Sequence, residues 1–195
     1  MEALPRVYLV RHGETEWSVS GQHTGRTDIA LTARGEDAAR KLAARLSGIQ
    51  FARVWTSPAV RARRTAELAG FGNVVESDTD LWEWDYGEYE GLRSAEIRAG
   101  RPNWVVFRDG AAGGESAAQV AGRADQVIAR ARQVDGNVLI FSHGHFSRVL
   151  GARWIGLGPE AGRLLLLSTA AVCILGYDHD KTEPAIALWN DVAHV

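Results

Sequence analysis

"NVLIFSHGH", residues 137–145, runs through four large apolar residues and stops on a serine and two histidines that flank a glycine. Val138, Leu139, Ile140 and Phe141 follow one another without polar alternation, which predicts a strand buried on both faces. The residues after it, from about 146 to 155, predict a helix. A doubly buried strand that feeds a helix is the unit of a parallel sheet. Toward the N-terminus the same form recurs. Val7 to Val10 predict a short buried strand that ends in Arg11-His12-Gly13, and "ARVWTSP" (52–58) a strand stopped by Pro58. "LTARGEDAARKLAARL" (31–46) predicts a helix with Thr32 as N-cap and Ala39, Leu42, Ala43 and Leu46 at helical spacing, ended by Gly48. "AVRARRTAELAG" (59–70) predicts a second helix, closed by Gly70.

The remaining chain fits the same plan. "NVVES" (73–77) predicts a short strand and residues 116–134 a long helix. "AAVCILGYDHD" (170–180) and "AIALWN" (185–190) predict a closing pair of strands joined by a turn at 181–184. Residues 13–29, polar and punctuated by glycine, predict a loop; residues 81–102 predict irregular chain with a helical turn near 95–99. The expected architecture is an α/β three-layer sandwich, with a mostly parallel central sheet and helices on both faces. One domain is expected over 1–195, with a cap-like insertion at about 78–115, because a long irregular segment in a compact domain is usually functional.

Composition excludes several classes. At 195 residues and 46% hydrophobic content, the chain suits one domain with a proper core. A formal net charge of -2 gives no bulk attraction to nucleic acid or an anionic membrane. The single cysteine, Cys173, permits no intrachain disulfide and no thiolate cage. "MEALPRVYLV" lacks the basic and apolar regions of a signal peptide, and no apolar run approaches the ~20 residues of a membrane span. The expectation is a cytoplasmic protein acting on a small molecule.

Charged residues cluster where the predicted strands end, the edge at which open α/β sheets bind ligands. Arg11 and His12 follow the first strand, Ser57 and Arg61 the second, and His143 the strand of 137–145, while Glu83 lies among aromatics in "LWEWDYGEYEG". Two guanidiniums and two imidazoles around one pocket suit an oxyanion, most naturally a phosphate. A neutral imidazole could attack phosphorus, since nearby arginines oppose its protonation. The arginines and the second histidine would stabilise the transition-state charge. A carboxylic acid with aromatic walls, Glu83 between Trp82 and Trp84, could protonate the leaving oxygen. Gly13 and Gly144, also expected on the substrate side, would let backbone approach closely beside each histidine.

In this order "LVRHGETEW", "TSPAVRARRTAE", "EWDYGEYEG" and "SHGHFSR" resemble the motifs of the histidine phosphatase superfamily, also called phosphoglycerate-mutase-like. The resemblance runs from residue 7 to about 190. It implies that His12 becomes the phosphohistidine, that Arg11, Arg61 and His143 hold the phosphoryl group, and that Glu83 donates the proton. The mutases of the family carry asparagine where this chain has Ser18, and a longer insertion with a lysine and an arginine pair. Residues 88–115 here have no lysine and no adjacent arginines, so hydrolysis is expected, with phosphoglycerate mutase or a non-catalytic phospho-ligand binder as the alternatives. "WSVSGQHTGRTDIALT" and "ILGYDHDKTEPAIALWN" are similar to a subgroup of sugar-phosphate and acid phosphatases that includes sedoheptulose-1,7-bisphosphatase-like enzymes. That likeness implies a substrate side formed by Ser18 and by Gln22, His23, Thr24 and Gly25. It also implies Arg148 directed at a second anionic group.

Other readings complete the expectations. Trp82, Trp84 and Tyr86 serve either packing or the substrate wall. His143 and His145 alternate like metal ligands, yet no carboxylate stands at a paired spacing, so neither a metal nor another cofactor is expected. His145 reads as a helix-start or pocket-wall residue, and Arg63 and Arg64 as surface charges. Trp104, Trp154 and Trp189 read as core or interface aromatics. The edge strand before "LWN" could pair in a homodimer.

Overall fold

The computed structural model describes residues 4–195, so the reading of Met1 to Ala3 as free of a leader signal lies outside the described residues. In chain order the main elements are β1 (Val7–Arg11), α1 (Glu16–Ser20), α2 (Ala33–Leu46), β2 (Arg53–Thr56), α3 (Val60–Ala66), β3 (Glu76–Ser77), α4 (Ser94–Gly100), α5 (Val106–Asp109), α6 (Ala117–Arg132), β4 (Val138–Ser142), α7 (Gly144–Trp154), β5 (Val172–Tyr177) and β6 (Pro184–Asp191). The sheet order is β3-β2-β4-β1-β5-β6. β3, β2, β4 and β1 run parallel, and β5 pairs antiparallel with both β1 and β6.

Strand alternation explains the two cores. Val7, Leu9, Val138 and Ile140 point to one face, where they pack with Val127 and Ile128 of α6 and Val149 and Leu150 of α7. Tyr8, Val10, Leu139 and Phe141 point to the other and pack with Leu42 and Leu46 of α2 and Ala66 of α3. β4 is buried along its whole length, as a strand covered on both faces must be. The 78–115 segment is built into the first core: Trp84, Tyr86, Ile97, Trp104 and Phe107 are buried members of it.

Several local expectations need correction. The 13–29 segment is not all loop, because Thr15 caps α1 through a reciprocal bond pair with Ser18. α7 starts at Gly144, two residues before the expected 146, with His143 as its N-cap. The helix of 59–70 changes to a π-type turn over Glu67–Phe71, and Gly70 leaves it with φ 91°. α5 and a 3-10 segment over Pro159–Leu164 are elements beyond those expected. The edge strand β6 is irregular, with register shifts against β5 and Asn190 at φ 58°. No helix among the described residues is long and apolar enough to cross a membrane.

Candidate active site

The parallel ladder brings three chain ends together. His12 N–H continues it to Ser142 O (2.9 Å), and Ser57 N–H donates to Phe141 O (3.0 Å). His12 and His143 therefore meet, with ring centroids 5.3 Å apart. His12 Nδ1 lies 2.8 Å from Gly13 O. A carbonyl only accepts, so Nδ1 carries the proton and the lone pair sits on Nε2. Gly13 is held on its other side too, since its N–H donates to Thr65 Oγ1 (3.0 Å) and the Thr65 hydroxyl donates to Arg61 O (2.7 Å).

Arg61 is fully buried. Its Nη1 donates to Thr27 O, and its Nη2 to Thr24 O and Gly25 O. Arg11 Nη1 donates to Leu167 O (2.6 Å). Ser57 Oγ accepts Ala59 N–H and lies 2.7 Å from His143 Nε2. Its own proton is thereby free for Nε2, which leaves His143 Nδ1–H as a donor. Among the described residues five buried side-chain polar atoms have no partner, and three belong here: Arg11 Nε, Arg61 Nε and His143 Nδ1. Orphaned buried donors are costly. Three on this one group of side chains, two of them on guanidiniums, suit an anion.

Electrostatics keeps the imidazoles neutral. Burial, then Arg61 and Arg11, push His12 well below the ordinary histidine range. His143 is pushed well below it by burial first, then by Arg61, His12 and Arg11. Glu83 completes the floor. Its Oε1 accepts Trp84 N–H (2.9 Å) and Phe146 N–H (2.8 Å), and its Oε2 accepts His145 N–H (3.0 Å). This corrects the aromatic-walled setting expected for it: the carboxylate is held by backbone donors at the N-terminus of α7. The Trp84 indole is buried on Glu115 O, and the Trp82 ring lies under Arg26. Gly144 separates the groups, for a Cβ there would stand 3.3 Å from Arg11 Nε and 3.6 Å from Glu83 Oε2.

Residues 7–192 match the histidine phosphatase superfamily (branch 1). This chain belongs to the histidine phosphatase superfamily. It is 42% identical over 186 residues to an acid phosphatase of Mycobacterium tuberculosis, covering 93% of this chain and 91% of that one. It is 37% identical over 190 residues to sedoheptulose 1,7-bisphosphatase of Saccharomyces cerevisiae, covering 80% and 69%. A solved structure of an open reading frame product of Mycobacterium tuberculosis superposes with a TM-score of 0.91 at 39% identity, covering 95% of this chain and 97% of that one. Family and relatives together support a phosphatase.

In this histidine phosphatase the pocket has a volume of about 250 Å³, and Arg11, His12, Glu83 and Gly144 line it; Arg61 and His143 are fully buried beside it. Ser18, Gln22, His23, Thr24, Tyr86 and Arg148 also line it. Several of these polar groups already have partners. Ser18 Oγ donates to Thr15 O, and Gln22 Nε2 to Gly91 O. The His23 ring packs on Tyr86, and burial pushes its pKa down to about 4. Arg148 is no solvent-facing charge: it stacks over Phe107 and donates to Gly162 O and Arg163 O.

Gly13 and Gly25, expected on the substrate side, stand outside the lining. A Cβ on Gly13 would come within 2.5 Å of Gly35 O. Gly25 N–H is taken by Glu90, its carbonyl holds Arg61, and a Cβ would meet Trp84 O at 2.6 Å. Both glycines are scaffold that close packing requires. His145 is a pocket-wall residue, hydrogen-bonded through Nδ1 to the Tyr86 hydroxyl.

Trp17, Gly21, Ser94 and Leu167 line the pocket beyond the expected residues, and Thr65 supports it from behind. Only Thr65 left a signal, standing four residues after Arg61 on the same helical face. Among the described residues the one group able to offer three metal-ligand atoms is Asp178, His179 and Glu183. It is exposed, on the β5–β6 hairpin, and lines no part of this pocket.

Proposed function

We propose that the protein hydrolyses small phosphomonoesters, sugar phosphates among them, through a phosphohistidine on His12 and without a metal. The observation that carries this reading is the free Nε2 lone pair of a neutral His12 beside three orphaned donors. Nε2 attacks phosphorus, the P–O ester bond breaks, and the leaving oxygen takes a proton from Glu83. Arg11, Arg61 and His143 offer N–H groups to the phosphoryl oxygens as charge spreads over them. Glu83 Oε1 already accepts two backbone N–H groups and Oε2 only one, so Oε2 is the atom with a lone pair for the proton. Water then attacks the phosphohistidine, gives its proton back to Glu83, and leaves as part of inorganic phosphate.

Water is favoured as acceptor because none of the cap arginines, Arg93, Arg98, Arg101 and Arg108, lines the pocket. Arg93 pairs with Glu96, Arg108 pairs with Asp109, and Arg98 donates to Trp104 O. Among the described residues that line the pocket, Arg148 is the arginine besides Arg11, and it suits a second anionic group of the substrate. Rapid quench with a phosphorus-labelled substrate tests the reading. Acid-labile, base-stable label should appear on the wild type, and His12→Ala should remove both label and turnover. Full activity in that variant rejects the mechanism. Reversible loss of activity on chelation rejects the metal-free reading, and isomerisation of a phosphoglycerate without phosphate release would make the enzyme a mutase.

A further inference from the structure

Arg123 lies on α6, outside the pocket lining, and its side chain is only 15% exposed. Its contacts converge on the segment that carries Glu83. Nη1 donates to Asp80 O (2.6 Å) and Trp82 O (3.0 Å), and Nη2 to Glu83 O (3.4 Å). The other side of the fork is bidentate on Glu115, with Nε to Oε1 at 2.7 Å and Nη2 to Oε2 at 2.8 Å. Glu115 grips the same segment, since its Oε2 accepts Asp85 N–H and its carbonyl accepts the Trp84 indole N–H. The guanidinium also lies 4.9 Å from the centre of the Phe146 ring. Phe146 is the residue whose N–H holds Glu83 Oε1. Arg123 thus bears on Glu83 from both ends, through its main-chain carbonyl and through the residue that orients its carboxylate.

We propose that Arg123, paired with Glu115, is a positioning residue for Glu83, setting where the proton donor stands without touching the substrate. A planar fork that spans three carbonyls and a carboxylate is a geometric device that the point charge of a lysine does not reproduce. The inference rests on Glu83 as the proton donor, so the experiment measures both.

Arg123→Lys, Glu83→Gln and their combination are assayed on a sugar phosphate and on p-nitrophenyl phosphate, whose leaving group needs no proton. Inhibition by inorganic phosphate is measured beside them. Arg123→Lys should lower kcat on the sugar phosphate by about 10–100-fold, since small misplacements of a reacting group have effects of that order. Turnover of the aryl phosphate and inhibition by phosphate should stay within about threefold of wild type. In the Glu83→Gln background Arg123→Lys should cause no further loss on the sugar phosphate, because coupled residues are not additive. Equal loss on both substrates, a multiplicative loss in that background, or wild-type behaviour of the lysine variant overturns the positioning role. Equal loss for Glu83→Gln on both substrates overturns the proton-donor reading instead. If Arg123→Lys does not fold, the charge-neutral pair Arg123→Gln/Glu115→Gln gives the same readout. Failure of both to fold assigns the pair to stability and rejects the proposal.

Discussion

Thr65 joins two groups of the site through main chain alone. Its oxygen accepts Gly13 N–H, and its proton goes to Arg61 O. The Gly13 carbonyl, on the far side of the same residue, accepts the His12 Nδ1 proton. Thr65→Val keeps the shape but leaves a buried N–H without an acceptor. A stability loss of about 1–3 kcal/mol is expected from urea unfolding, together with a fall in kcat of roughly tenfold or more at little changed KM. An unaltered kcat would detach Thr65 from the orientation of His12. The contrast with His12 and Arg61 shows what sequence can reveal at this scale. Cationic side chains at the end of an apolar strand are conspicuous because burial would otherwise exclude them. Thr65 is an ordinary helix residue until the fold sets a backbone N–H against it. Glu83 was legible as a residue and misread in its setting: neighbours in sequence are tryptophans, whereas neighbours in space are the first N–H groups of α7.

At the scale of elements, the 3-10 segment over Pro159–Leu164 supplies the carbonyls that hold Arg148. Nε and Nη2 are taken, and stacking on Phe107 fixes the plane, so the guanidinium faces the pocket already ordered. Arg148→Ala should weaken turnover of a sugar bisphosphate by roughly ten- to hundredfold in kcat/KM while sparing the matching monophosphate, the size of one charge-assisted bond. Parallel changes on both substrates would deny Arg148 a distal anion. Elements differed sharply in legibility. β4 and α7 were visible because an unbroken apolar run and a helical repeat are tertiary demands written locally. α1 was not, being five residues long, too short for periodicity to register; its one signal is the Thr15–Ser18 capping pair. The 3-10 segment acts through carbonyls, which every residue type offers alike.

For the molecule as a whole, the decisive quantity is proton binding. His12, His23, His143 and His145 are all held below the ordinary histidine value, with burial the first cause in each. A histidine neutral in the fold and charged when unfolded gives the unfolded chain the extra proton. Stability is therefore intact above about pH 6.5 and falls as pH drops below it, by about 1.4 kcal/mol per unit for each such group. For His23 the loss runs down to its folded value of about 4. Urea midpoints should decline between pH 6.5 and 5, and His23→Asn should flatten the decline by about one proton; a slope unchanged in that variant would contradict the assignment. Over the same range His12 keeps its lone pair, so the acid limb of kcat/KM set by this group should lie well below pH 6.5. The sheet's parallel body was legible from its buried strands, while its order was not, because pairing is decided by which faces remain uncovered after the helices dock. That order has a consequence for the chain as it is made. β1, synthesised first, pairs with β4 on one edge and with β5 on the other. With roughly 130 residues between β1 and β4, and ribosomes adding ~5–20 residues per second, the opening strand waits roughly 6–25 s for its first neighbour. The turn that accepts Arg11 Nη1 at Leu167 O, and binds Arg11 O and His12 O through Ala170 N–H, emerges later still. His12 is thus made well before the strands and the turn that close its pocket.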